Sequence, residues 1–215
     1  MRTIKLILVD DHNLVRQGMR SLLEAHPEFQ VIGDGRDGQE ALKLIETLAP
    51  DIAFMDVMMP NLNGIEATSL VRQRGLKTRV IILSMHANPN YAVRALHAGA
   101  LGYVLKDSDF SEILQAIDNV MQGKRYLSSA IADEVFEMLL NAESGGTDSL
   151  EVLSSREREI LQLIAEGRTN NAIAESLTLS VRTVEAHRAH IMSKLRITSQ
   201  ADLVKFAIRH GLIAP

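Results

Sequence analysis

The sequence predicts an α/β architecture: an open, doubly wound, five-stranded parallel sheet followed by a small all-α unit with helix-turn-helix spacing. Three observations support it. Short β-branched runs alternate five times with helix-period segments before about residue 122. Four of those runs are followed at once by a polar or charged residue, and beyond Gly123 the alternation gives way to helical period. In order, the strands are expected at Ile4 to Val9, Gln30 to Ile32, Ile52 to Met55, Val80 to Leu83 and Leu101 to Leu105. Helical patterns beginning near His12, Gly38, Gly64, Pro89 and Asp109 fill the gaps. Right-handed crossovers between such units close into a sheet with helices on both faces. Ligands of these sheets sit beyond the carboxyl ends of the strands, near the topological switch point.

The chain divides at a polar, Gly/Ser-rich stretch, Asn141-Ala142-Glu143-Ser144-Gly145-Gly146-Thr147-Asp148-Ser149, which has linker composition. The reading is therefore residues 1–122 as the α/β domain, 123–150 as a linker with one amphipathic helix from Ala130 to Leu140, and 151–215 as the helical domain. Whether the linker helix docks on the α/β domain or joins a dimer is left open by its pattern. In the helical domain, Ser154 and Glu157 form a capping box for a helix running to about Glu166, where Gly167 stops it. A short helix from Asn170 to Leu177, the turn Thr178-Leu179-Ser180, a helix from Val181 to Leu195 and a helix capped by Ser199 complete it.

Composition removes several function classes. With no cysteine, the chain has no disulfide framework, thiolate zinc site, iron–sulfur cluster or cysteine nucleophile. The apolar run Ile4 to Val9 is broken by Lys5 and ends in Asp10-Asp11, too short for a signal core or membrane span, so a soluble cytoplasmic protein with no membrane partner is expected. The net charge of -4 conceals an asymmetry: residues 1–146 carry 14 Lys+Arg against 19 Asp+Glu, and 147–215 carry 9 against 8. Residues 180–210 hold six cations against Glu185 and Asp202, placing positive surface at the carboxyl-terminal end.

The strand ends carry the chemistry. Asp10 and Asp11 follow the first strand and Asp56 the third, so three carboxylates share one rim if those strands are neighbours. Such a set repels itself unless a hard cation with oxygen ligands relieves it, which points to Mg²⁺ or Mn²⁺ held by Asp10, Asp11, Asp56 and the Met58 carbonyl. A carboxylate beside a metal and an ammonium can attack phosphorus to form an acyl phosphate. Asp56 is the expected nucleophile, Lys106 neutralises one phosphoryl oxygen and Ser84 hydrogen-bonds another. Carboxylates at strand ends also serve as helix caps, the plainer role for Asp10 or Asp11 taken singly. Gly33-Asp34-Gly35-Arg36-Asp37-Gly38 fits a dinucleotide-binding pattern, but it follows the second strand and puts Asp34 and Asp37 where a pyrophosphate would approach. A phosphatase with a paired Asp-x-Asp is disfavoured because Met58 stands at the second position.

Residues 1 to about 122 resemble a two-component receiver domain with a flavodoxin-like fold, through Asp10-Asp11, the loop Asp56-Val57-Met58-Met59-Pro60 leading to Gly64, Ser84, and Gly102-Tyr103-Val104-Leu105-Lys106. The resemblance implies phosphate transfer to Asp56 from a sensor histidine kinase or a small phosphodonor. It also implies a switch pair, Ser84 and Tyr103, whose hydroxyl moves toward the phosphoryl group while the ring turns inward. Met58 and His86 are expected to tune the loss of that group to water. Asp107 stands where many receivers have proline.

The short helix, tight turn and longer helix over 170–195 have the spacing of a helix-turn-helix unit, whose second helix enters the major groove. Val184, Ile191 and Leu195 form its buried stripe, with Arg188 at the edge; Arg182, Glu185, Ala186, Ala189 and Ser193 share another face. Ala186 and Ala189 permit close approach to thymine methyls, and Glu185 can accept from a cytosine amino group. Arg182, Thr183, Arg188, Lys194 and Arg196 are placed for phosphates. A four-helix domain of this kind can also bind protein. His187 and His190, one turn apart, lack a third metal ligand in the sequence.

The run Leu153 to Leu161 with Gly167, Thr169-Asn170, Ile173-Ala174, Thr183-Val184, His187, Ile191 and Lys194-Leu195 resembles the LuxR-type DNA-binding domain. Asn171 and Glu185 depart from it at positions where lysine is common; His187 matches a position associated with backbone contact. Together the two resemblances imply a response regulator of the NarL/FixJ class. The expectation is a transcription regulator rather than an enzyme, binding double-stranded promoter DNA as a homodimer when phosphorylated; in this class the unphosphorylated receiver often covers the groove-facing helix, and the sequence does not say whether it does so here. A phosphorylation-independent regulator with an atypical receiver is the alternative.

Overall fold

The computed structural model describes residues 3–85, 87–141, 150 and 152–213. Ten helices and six strands are distributed among them. The strands are β1 (Ile4–Val9), β2 (Phe29–Gly35), β3 (Ile52–Asp56), β4 (Arg79–Ser84), β5 (Gly102–Leu105) and β6 (Tyr126–Leu127). They form one parallel sheet in the order β2-β1-β3-β4-β5-β6. The sequence predicts five strands, and β6 corrects that. Gly123, at φ 75, turns the chain back, and Tyr126 and Ser128 donate to the carbonyls of Leu101 and Tyr103 at 2.9 Å each. Two residues are too few to show an alternating pattern.

Strand alternation divides the core. Ile7, Val9, Ala53, Met55, Ile82 and Tyr103 face one side, and Leu6, Leu8, Phe54, Ile81 and Val104 the other, all buried. The first face is covered by α2 (Gly38–Leu48), α3 (Gly64–Gln73) and α4 (Pro89–Ala98), the second by α1 (Asn13–Glu24) and α5 (Phe110–Met121). The linker helix α6 (Ser129–Asn141) resolves the question its pattern left open: Ile131 and Val135 are buried in the first core beside α4. Its start is held by Glu112 of α5, which accepts from the Ser128 and Ser129 hydroxyls at 2.6 and 2.8 Å. Residues 142–149, the expected break, lie outside the described residues.

The helical unit comprises α7 (Ser155–Ala165), α8 (Asn170–Ser176), α9 (Val181–Leu195) and α10 (Gln200–Arg209). Ser154, Thr169, Ser180 and Ser199 cap all four, each accepting from an amide of the first turn. The Ser154–Glu157 box closes reciprocally. Leu153, Ile160, Leu161, Ile164, Ile173, Val184, Ile191 and Leu203 form the core of this unit.

The two units meet through α7. Arg158 Nε donates to both oxygens of buried Glu66, at 2.9 and 2.8 Å, with Arg94 3.9 Å from the same carboxylate. Arg94 also donates to the His210 carbonyl, and the Tyr91 ring lies against the backbone of Gly211. Gln162 bonds to the loop between β3 and α3.

Two outcomes follow from this packing. A Cβ on Gly64 would lie 2.0 Å from the Asp56 carbonyl oxygen, so Gly64→Ala should displace α3 from the end of β3 and cost about 1–3 kcal/mol in urea unfolding. An unchanged midpoint would contradict that close approach. Glu66→Ala leaves two guanidinium groups without their shared buried counter-charge, a loss of about 3–5 kcal/mol for a buried pair stripped of one partner. The expected readout is a larger radius of gyration by small-angle X-ray scattering; an unaltered profile would mean the pair does not hold the units together.

Candidate functional site

β1 and β3 are neighbours, with Val9 opposite Met55, so Asp10 and Asp56 leave the sheet side by side at its carboxyl rim. The sheet order reverses direction at this pair of strands, the position where such folds bind ligands. Lys106, which leaves β5 on the same rim, places its ammonium 2.6 Å from Asp10 Oδ2 and 2.9 Å from Asp56 Oδ2. All three side chains are at most 7% exposed. Burial, the largest influence, raises the Asp56 carboxyl above its ordinary value, the Lys106 ammonium partly offsets this, and Asp10 and Asp11 add to it. Burial lowers the Lys106 ammonium, but Asp56 and Asp10 outweigh it and the net shift is upward.

Asp10, Asp11, His12 and Asp56 each bring a ligand atom within 4.8 Å of the others, the one such cluster among the described residues. His187 and His190 belong to no cluster of this kind there. His12 was not singled out from the sequence. It precedes α1 without capping it, and its Nδ1 lies 2.8 Å from Asp11 Oδ1 and 3.3 Å from Asp10 Oδ1. Arg16 was also missed: it is buried on α1, its guanidinium donating to the Asp10 carbonyl at 2.5 Å and to Asn13 Oδ1 at 3.1 Å. The adjacency of His12 to the acidic pair, and Arg16 one turn later, were the available signals.

Ser84 ends β4 and Tyr103 lies on β5, both fully buried. Their side chains hydrogen-bond, so the ring is already turned inward. Burial pushes the Tyr103 phenol up to about 12 despite that bond. Met58 stands half-buried in the loop leaving β3, and His86 lies outside the described residues. Every described peptide bond is trans, including the one after Lys106. The Gly33–Gly38 segment ends β2 and enters α2: Gly33 to Gly35 pair with β1, Asp37 caps α2, Gly38 N donates to the Leu62 carbonyl at 2.9 Å, and Arg20 pairs with Asp34 at 2.8 Å.

On α9, Val184 and Ile191 are buried and Leu195 is half-buried, as the pattern requires. Arg182, Glu185, Ala186, Ala189 and Ser193 are exposed, while Thr183, His187 and Arg188 are half-buried. Two expected phosphate-gripping cations are engaged within the fold. Lys194 Nζ lies 2.7 Å from Glu157, and Arg188 donates to Gln200 Oε1 at 2.8 Å. Thr183 shares its hydroxyl with the Ser180 cap at 2.7 Å, and Arg196 is exposed. In the class this chain resembles, the receiver often covers the groove-facing helix. Here the α/β unit instead engages α7, Arg168 and the segment at His210, because the buried acceptors and donors that match it lie on α7.

Among the described residues no helix is long and apolar enough to cross a membrane. Residues 6–118 match the response regulator receiver domain, and residues 151–207 match the bacterial regulatory proteins of the luxR family. The chain is 37% identical to the transcriptional regulatory protein LiaR of Bacillus subtilis over 98% of this chain and 99% of that protein. It is 33% identical to DegU of Brevibacillus brevis over 98% and 95% respectively. The crystal structure of ChrA, a response regulator of a heme-sensing two-component system, superposes with a TM-score of 0.54 at 32% identity, over 99% of this chain and 100% of that one. With an acidic rim at the switch point of one domain and an exposed helix-turn-helix in the other, the chain belongs to the response regulators that join a receiver domain to a luxR-family DNA-binding domain.

Proposed function

We propose that the chain is a phosphorylation-controlled transcription regulator in which Asp56 accepts a phosphoryl group from a sensor histidine kinase, and that this group governs dimerisation and binding to promoter DNA. The carrying observation is the Lys106 ammonium held between Asp10 and Asp56 on adjacent strand ends. That pairing presents one carboxylate as nucleophile with positive charge already beside it. Residues 1–122 would act as receiver, 123–150 as linker and 151–215 as DNA-binding domain, in a cytoplasmic protein.

An Asp56 oxygen forms the bond to phosphorus while the donor's P–N bond, or the P–O bond of a small acyl phosphate, breaks and its electron pair leaves with the donor. The carboxylate must be ionised to do this. Lys106 neutralises one phosphoryl oxygen, and Ser84 donates to another by turning its hydroxyl from Tyr103. The oxygen-rich donor set suits a hard divalent cation, Mg²⁺ or Mn²⁺, held by Asp10, Asp11, Asp56 and the Met58 carbonyl. When bound, the ion supplies the charge that lets three carboxylates coexist and that neutralises the phosphoryl oxygens. In this reading the chain is an acceptor rather than a turnover catalyst, the phosphoryl group ending on Asp56.

For DNA, the exposed face of α9 would enter the major groove. Ala186 and Ala189 allow close approach, and Glu185 reads a base edge. Arg182, Thr183, His187, Arg188, Lys194 and Arg196 line the phosphate side, with exposed Arg182 and Arg196 the primary cations. A phosphorylation-independent regulator is the second reading, favoured by the inward Tyr103 and the exposed α9 face.

Intact mass after acetyl phosphate and Mg²⁺ should show one added phosphoryl group in the wild type and none in Asp56→Ala; no gain in the wild type would favour the second reading. Because burial outweighs the Lys106 ammonium, the Asp56 carboxyl of the metal-free protein should titrate above its ordinary 3.8, as followed by carboxyl-carbon NMR. A midpoint at or below that value would contradict the buried acceptor. Arg182→Ala should reduce the slope of log affinity against log salt by about 0.9, the contribution of one phosphate contact. Glu185→Ala should instead alter base preference in a binding-site selection, and unaltered preference would remove its reading role.

A further inference from the structure

We propose that α7 of the DNA-binding domain is a working part of the phosphoacceptor site, with Gln162 as the positioning residue that sets the conformation of the loop leaving Asp56. The inference deepens, and rests on, the reading of Asp56 as acceptor. Three backbone groups of that loop bond to the side chains of Gln162 on α7 and of Glu166, the residue that ends it, about a hundred residues away. Gln162 Nε2 donates to the Met59 carbonyl at 2.9 Å. Gln162 Oε1 accepts from the Asn63 amide at 3.0 Å and from Asn63 Nδ2 at 2.9 Å. Glu166 Oε1 accepts from the Asn61 amide at 3.0 Å and from Gln162 Nε2 at 2.9 Å, which locks the two side chains together. Gln162 is 0% and Asn63 1% exposed.

The loop also stores a backbone conformation that needs support. Asn61 sits at φ 64, in the left-handed region, which asparagine visits at a cost. It is held there by its amide to Glu166, by its side chain donating to Asp37 at 2.7 Å, and by Arg168 donating to its side-chain oxygen at 2.9 Å. Buried polar groups are costly to leave unpaired, and a network of them acts as a unit. Withdrawal of α7 therefore removes the interdomain partners of Met59, Asn61 and Asn63 together and leaves Asn61 held in its left-handed conformation by Asp37 alone. The loop is thus more fully constrained with α7 docked than by the α/β domain alone.

Asp56 begins this loop and Met58 lies within it, so α7 preorganises the groups that would hold the divalent cation. Preorganised ligands bind more tightly because less ordering remains to be done on binding. By linkage, the cation in turn favours the docked arrangement. The DNA-binding domain is thereby a determinant of the phosphoacceptor chemistry as well as its target.

The test uses the full chain and Mg²⁺ alone. Calorimetric titration should show half-saturation at Mg²⁺ concentrations at least about fivefold higher in Gln162→Met than in wild type, within the roughly 5–150-fold range of typical couplings. At saturating Mg²⁺, the maximal rate of phosphorylation by acetyl phosphate should be nearly unchanged, a split that general destabilisation would not produce. Glu66→Ala, which loosens the same interface without touching the loop's partners on α7, should shift Mg²⁺ binding in the same direction. Amide exchange at Asn61 and Asn63 should accelerate in both variants. An unshifted or tighter Mg²⁺ titration in both would overturn the proposal. Absence of phosphorylation in a wild type that binds Mg²⁺, with the titration shifted in the variants, would sink the acceptor reading and leave the positioning role standing.

Discussion

Three carboxylates crowded onto neighbouring strand ends repel one another, and the ammonium of Lys106 between Asp10 and Asp56 is the interaction that makes the crowding tolerable. Much of the α/β domain can be understood as its scaffold. β1 and β3 lie adjacent so that Asp10 and Asp56 share a rim. β5 delivers Lys106 to that rim, and the Lys106 amide bonds to the Ser84 carbonyl at 2.8 Å, fixing the lysine relative to the neighbouring strand. Arg16 and His12 hold the Asp10 segment from the opposite side. Buried charges of this kind cost folding stability, since well-packed apolar groups in their place are often neutral or stabilising.

The same rim is joined to the second domain by a single short loop. Residues 57–63 close onto Gly64 at one end and onto Gln162 and Glu166 at the other, so the loop that follows Asp56 is bonded directly to the DNA-binding domain. The interface is polar and partly ionic, with Glu66 and Arg158 at its centre. Such contacts are strong when complete and costly when one partner is lost. The linker helix contributes differently: its apolar side is absorbed into the α/β core beside α4.

What was readable from the sequence is what depends on neighbours along the chain. Capping boxes, turn residues and hydrophobic period placed the helices, and polar residues at the ends of apolar runs marked Asp10, Asp11, Asp56, Ser84 and Lys106. The short β6 carries no period, and Ser128 became part of the fold through bonds to Tyr103 and Glu112 that only chain reversal brings together. His12 and Arg16 were marked only by lying beside and one turn after the acidic pair; their bonds to the Asp10 segment became visible once the chain had folded. Lys194 and Arg188 were legible as cations, but their engagement by Glu157 and Gln200 depends on how α9 packs against α7 and α10.

The sequence by itself determined the class of fold, the identity of the acidic rim and the helix-turn-helix, because periodicity and local hydrogen-bonding preferences act over a few residues. Tertiary structure alone decided that α7 rather than α9 faces the receiver, that Tyr103 is already inward and bonded to Ser84, and that Gln162 supports the loop after Asp56. Those outcomes depend on buried polar groups finding partners about a hundred positions away. No local pattern encodes such pairings, since they follow from which surfaces meet once both domains have formed.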